Sequence, residues 1–155
     1  MNPPAYQTLL SPGLQDLSLD ALADEFVEPF NEGREHRAYI LERFHAYLNR
    51  VEALGITIRE LWIDGSFTTE KPVPGDIDVA IIMDRGEMQS IADEDMDEAQ
   101  WLFHEAYKQE VKERYRTDAV LLYTDGESAQ SLIQKTWGTY RDDVTEKGIA
   151  RVVLL

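Results

Sequence analysis

An α/β (α+β) fold, with a mixed sheet of about four to five strands packed with helices, is what this chain points to. Three features carry that expectation. Apolar residues recur at helical spacing in several stretches, short runs rich in β-branched residues lie between them, and Gly, Pro and Asp punctuate the joins. The chain has 155 residues, 43% of them hydrophobic and 29% charged. That balance suits one globular domain over 1–155 and argues against wholesale disorder.

Residues 1–17 hold Pro3, Pro4, Pro12 and Gly13 and read as an irregular arm. Leu19, Leu22, Phe26 and Val27 then fall at helical spacing, with Ser18 as N-cap and Pro29 as the stop. A longer helix is expected from about Arg34 to Leu54 on the stripe Ile40, Leu41, Phe44, Tyr47, Leu48 and Val51. Gly55 stands where a C-terminal cap belongs. Ile56 to Ile63 reads as a first strand, and a turn-rich segment runs from Asp64 through Pro74-Gly75. DIDVAIIM, Asp76 to Met83, is the second strand. Glu87 to Glu98 is acidic and poor in apolar residues, a solvated loop leading into a helix from about Asp97 to Tyr115. Thr117 to Tyr123 is the third strand. After the Asp125-Gly126 turn, a helix of about ten residues carries Leu132, Ile133 and Trp137. Gly138 to Gly148 reads as a polar loop and Ile149 to Leu155 as a last strand, at an edge open to pairing.

Thirty acids against 15 Lys plus Arg give a net charge of -15. The acidity is even, -8 over residues 1–78 and -7 over 79–155, so no basic segment hides inside the average. Such a surface repels phosphate backbones and disfavours unaided nucleic-acid binding. The absence of cysteine excludes disulfides, thiolate zinc sites and cysteine nucleophiles. With only His36, His45 and His104, a histidine-rich metal site is not expected. No apolar run approaches the roughly 20 residues of a membrane span. The first residues lack a positive region before an apolar stretch, so no signal peptide is expected and a cytoplasmic location is.

The chemistry concentrates in Asp64-Gly65-Ser66 and, nine residues on, Asp76-Ile77-Asp78-Val79. Alternate strand residues share a face, so Asp76 and Asp78 project together. Two like charges this close repel, and a hard divalent cation, Mg2+ (or Mn2+), resolves the conflict. Gly65 lets the backbone approach a ligand, and Ser66 with nearby N–H groups can hold phosphate oxygens. Asp118 opens the third strand and completes a three-acid cluster if that strand is a neighbour. Two cations bridged by Asp76 and Asp78, one also held by Asp118, suit in-line nucleotidyl transfer from a nucleoside triphosphate. The same carboxylates would also serve a phosphate-ester hydrolase that directs water instead.

Lys135, Arg141 and Lys147 are the candidate triphosphate contacts, because an acidic protein needs local cations there. Asp64 reads as a turn-forming acid, Trp101 and Trp137 as core or interface residues, and Asp93 to Glu98 as a solvated face.

This arrangement resembles the polymerase-β-type nucleotidyltransferase superfamily: Gly-Ser, then acid–apolar–acid on the next strand, then a third acid. More narrowly, GSFTTEKPVPGDIDVAI and WGTYRDDVTEKGIARVVLL look like a group of small bacterial stand-alone nucleotidyltransferase-like proteins of unassigned function. The likeness runs over about residues 10–155. It implies a minimal nucleotidyltransferase core, Mg2+ dependence and an NTP donor. It also implies work alongside a protein encoded nearby, in a toxin–antitoxin or phage-defence system. Two departures stand out. No base-gripping helical domain follows the core, and Glu70 and Lys71 occupy the loop where small antitoxin-like members carry an arginine signature. The alternative is a catalytically silent module that binds nucleotide or neutralises a partner with its acidic surface.

Overall fold

Strands β1 (Gly13–Asp16), β2 (Glu60–Asp64), β3 (Ile77–Met83), β4 (Thr117–Tyr123) and β5 (Gly148–Val153) form one mixed sheet in the order β1-β5-β2-β3-β4. The computed structural model describes residues 6–139 and 146–155. β2 runs antiparallel to both β3 and β5, while β3 with β4 and β1 with β5 are parallel. The helices are α1 (Ala21–Phe26), α2 (Arg34–Ala53), α3 (Gly86–Gln89), α4 (Met96–Phe103), α5 (Lys108–Tyr115) and α6 (Glu127–Trp137). The expected α+β architecture is therefore what the chain adopts. No described helix is long and apolar enough to cross a membrane.

Alternation along the strands builds two layers. Leu61, Ile63, Val79 and Ile81 enter the larger core, which takes Ile40, Phe44, Tyr47 and Val51 from α2, Leu102 from α4 and Val111 from α5. Residues of the other parity, Trp62, Ala80, Ile82 and Leu122, form a smaller core under Ile133 and Trp137 of α6. Asp64, Asp78 and Asp118 share this second parity, so they stand on the α6 side of the sheet. Burying each large apolar side chain contributes about 1.5–3 kcal/mol, which makes the α2 stripe the main support beneath β2 and β3.

Several local expectations are corrected. The N-terminal arm is not irregular throughout, since Gly13–Asp16 adds a strand to β5, with Gly13 paired to Gly148. Gly148 fits there only without a side chain, because a Cβ would stand 2.2 Å from Ser11 O. β5 consequently lies between β1 and β2 and is not an edge. β2 begins at Glu60, and Ile56 and Ile58 are buried ahead of it. The long helix expected from Asp97 to Tyr115 is two helices, broken where His104 turns extended (ψ 138°). His104 Nδ1 accepts from Ala106 N at 3.1 Å, which caps the short 3-10 turn leading into α5. The stretch read as solvated loop contains α3 and a 3-10 turn at Asp93–Asp95. The N-cap position of α1 is Asp20 and not Ser18, whose Oγ accepts from Ala21 N at 3.1 Å across the turn that leads into the helix.

Candidate active site

The site grows from the start of α2. Arg37 is fully buried and donates to the carbonyls of Phe26 (2.8 Å), Phe67 (2.7 Å), Thr69 (2.7 Å) and Lys71 (2.6 Å). Its guanidinium lies 3.7 Å from the Phe30 ring centroid. His36 Nε2 meets Pro74 O at 2.7 Å, and Gly33 abuts Pro72 so closely that a Cβ would fall 1.9 Å from its carbonyl oxygen. One helical turn thereby fixes the whole connection from Gly65 to Gly75. That connection sets where β2 ends and where Asp76 enters β3.

Strand register does the rest. Asp64 is paired with Asp78 across β2–β3, and Asp78 with Asp118 across β3–β4. Asp76, Asp78 and Asp118 each present a carboxylate oxygen, all within 4.8 Å of one another. Asp78 is pushed up to about 7, first by burial and then by the negative charges of Asp76, Asp118 and Asp64. Three carboxylates drawn together against this cost are a donor set suited to a hard divalent cation.

Gly65 makes the close approach possible. Its φ of 86° is in the left-handed region, and a Cβ would lie 2.3 Å from Asp78 Oδ2. Ser66, half-buried, opens the 3-10 turn Ser66–Thr68 at the end of β2. Gly65→Ala is expected to displace the Asp78 carboxylate, weaken Mn2+ binding by about tenfold or more, and destabilise the fold by about 1–3 kcal/mol. Titration with Mn2+ beside a urea melt checks both effects. An alanine variant with wild-type metal affinity would contradict the close packing of Gly65 on Asp78.

The other expected site residues divide. Lys147, just before β5, lies with Nζ 3.0 Å from Asp64 Oδ2. Asp64 is therefore not a turn residue. It is the buried last residue of β2, with Oδ1 unpartnered among the described residues. Burial raises its pKa despite the opposing pull of Lys147. Lys135 is exposed in the last turn of α6 and makes no ion pair with the three acids. Arg141 lies outside the described residues. Trp137 is half-buried in the α6 layer, and Trp101 packs edge-on against Tyr115 and donates to Glu110.

Two cations that sequence reasoning missed lie on the triad itself. Lys112 Nζ is 3.2 Å from Asp76 Oδ2 and 3.8 Å from Asp118 Oδ2, and Lys108 Nζ is 3.2 Å from Asp118 Oδ1. The available signal was their i,i+4 spacing just ahead of the strand that carries Asp118.

Residues 4–153 match the model of a family described as "Family of unknown function (DUF6932)". No curated protein and no solved structure matches the chain. The match spans every strand, α2 and all three acids of the cluster, and the chain belongs to this DUF6932 family.

Proposed function

We propose that this protein is a small divalent-metal-dependent nucleotidyltransferase, moving an NMP group from an NTP to a hydroxyl of a protein, small molecule or RNA. The observation that supports this most is the convergence of Asp76, Asp78 and Asp118 at one end of adjacent strands, against the side-chain-free Gly65. Asp76 and Asp78 would hold two Mg2+ or Mn2+ ions, and Asp118 the one nearer the acceptor. When bound, those ions would stabilise the attacking and leaving oxygens of an in-line displacement. Asp118 would take the proton of the acceptor hydroxyl as its oxygen bonds to the α-phosphorus and pyrophosphate departs. Gly65 and Ser66 would orient the triphosphate through backbone N–H groups and the hydroxyl. The net charge of -15 makes a protein or small-molecule acceptor the better fit than RNA. A cytoplasmic setting beside a partner encoded nearby belongs to the same reading.

A second reading, a silent nucleotide-binding or partner-neutralising acidic module, draws on Lys108 and Lys112, which already neutralise part of the triad. Incubation with α-labelled NTPs and Mg2+ separates the two. The enzyme reading expects label on an acceptor in a cell extract, and its loss by at least about a thousandfold in Asp76→Ala/Asp78→Ala. A double variant that keeps full activity in cells while the wild type transfers no label would favour the module.

A further inference from the structure

We propose that Lys108 and Lys112 are counter-ions that occupy the triad until a divalent cation replaces them, and that they then bind a substrate phosphate in the cleft beside Asp76. This rests on reading the triad as a metal site.

The two ammonium groups sit one helical turn apart on α5, an arrangement that is unfavourable unless acids lie between them. Here the acids are Asp76 and Asp118, with Glu105 3.5 Å from Lys108. An Mg2+ ion approaches carboxylate oxygens to about 2.0–2.1 Å and carries twice the charge of an ammonium at 3.2 Å. Both cannot keep the same oxygens, so the lysines are released. They stay close by, because the burial of Val111 and Tyr115 holds α5 against the core.

What receives Lys112 is a cleft of about 340 Å³ that it lines with Gly75, Asp76, Gln109, Glu113 and Arg116, and Lys108 stands one helical turn before it on α5. Among the described residues Arg116 is the sole non-glycine with positive φ (50°), and its buried Nε has no hydrogen-bond partner there. Its backbone is held in that strained conformation from both sides: Arg116 N donates to Lys112 O at 2.8 Å, and Ile77 N donates to Arg116 O at 2.9 Å. The cleft thus offers a guanidinium, a releasable ammonium and the Gln109 amide beside two acids, Glu113 and Asp76, the second of which the metal would engage. On a chain of net charge -15, a lining in which cations equal acids is a local relief of the negative field. Guanidinium, ammonium and amide are all donors that a phosphate group accepts from. It could belong to the nucleotide's triphosphate or to a phosphorylated acceptor.

The test is Mn2+ titration of the full chain as wild type, Lys112→Met and Lys108→Met/Lys112→Met, followed by titration of manganese pyrophosphate. Because the metal no longer competes with an ammonium, Lys112→Met should bind Mn2+ roughly tenfold more tightly, an effect a merely structural lysine would not produce. The double variant should bind manganese pyrophosphate roughly tenfold more weakly, and wild type should bind pyrophosphate only when Mn2+ is present. Unchanged or weaker Mn2+ binding in Lys112→Met, with wild type binding normally, overturns this proposal and leaves the metal site standing. A wild type that binds no Mn2+ at all overturns both. Two further titrations, ATP alone and glycerol 3-phosphate onto ATP-saturated protein, assign the phosphate to donor or acceptor by which affinity the double variant loses.

Discussion

Asp78→Asn is expected to stabilise the metal-free protein at neutral pH and to weaken Mn2+ binding at least about a hundredfold. The two effects share one cause. Burial, reinforced by Asp76, Asp118 and Asp64, raises the Asp78 carboxyl from 3.8 to about 7 in the folded chain. Between about pH 4 and 7 the folded state therefore holds a proton that the unfolded state has lost. Stability from this group is present at the acid end of that window and falls as the pH rises through it. Asparagine has no charge to desolvate, so the variant should gain about 1–3 kcal/mol at pH 7.5 and almost nothing at pH 4. The attraction of Lys112 and partial exposure of the side chain keep the gain below the full shift. Urea unfolding in EDTA at the two pH values measures it. An equal effect of the substitution at both would contradict the assignment of strain to Asp78. A residue that lowers the stability of the empty fold and is retained for its ligand is what a functional carboxylate looks like.

Arg37→Met should cost the fold at least about 4 kcal/mol, a large share of the 5–15 kcal/mol typical of a domain. Among the described residues Arg37 pairs with no acid. It satisfies four carbonyls at 2.6–2.8 Å, those of Phe26, Phe67, Thr69 and Lys71. Burial pulls its pKa down to about 10, which still leaves it charged at pH 7. Methionine fills much of the volume and returns none of the hydrogen bonds, so the buried carbonyls pay their full desolvation penalty. The segment from Ser66 to Lys71 would lose its anchor, and with it the position of Gly65 against Asp78. Arg37→Lys keeps the charge but cannot span the four acceptors, and should lie between wild type and methionine. Thermal unfolding followed by circular dichroism reads the series. A methionine variant melting within two or three degrees of wild type would mean that the buried guanidinium does not hold the loop.

The aspartates were legible because their signal is local. Period-two alternation puts Asp76 and Asp78 on one face, whereas the place of Asp118 hung on whether its strand was a neighbour, and β4 lies parallel beside β3. Register then brings Asp118 opposite Asp78. Arg37 was not legible, because its partners lie 11 to 34 residues away and nothing in a helical stripe marks one arginine as buried. Lys108 and Lys112 were obscured by reading Asp97 to Tyr115 as a single helix. The break at His104 sets which face of α5 meets the triad, and that break depends on a side-chain cap with no periodic signature. In sequence Lys147 reads as a phosphate contact and Asp64 as a turn. Their pairing at 3.0 Å depends on β5 returning beside β2, a contact 83 residues apart. β1 has only four residues, too short for alternation to register, and without it β5 reads as an edge.

The account stands most directly on calorimetric titration of each of the four NTPs into the full chain, with and without Mg2+, beside Asp76→Ala/Asp78→Ala. It predicts binding that requires Mg2+, shows a base preference and disappears in the double variant. Absence of binding by every NTP, or binding indifferent to both the metal and the two aspartates, would contradict it.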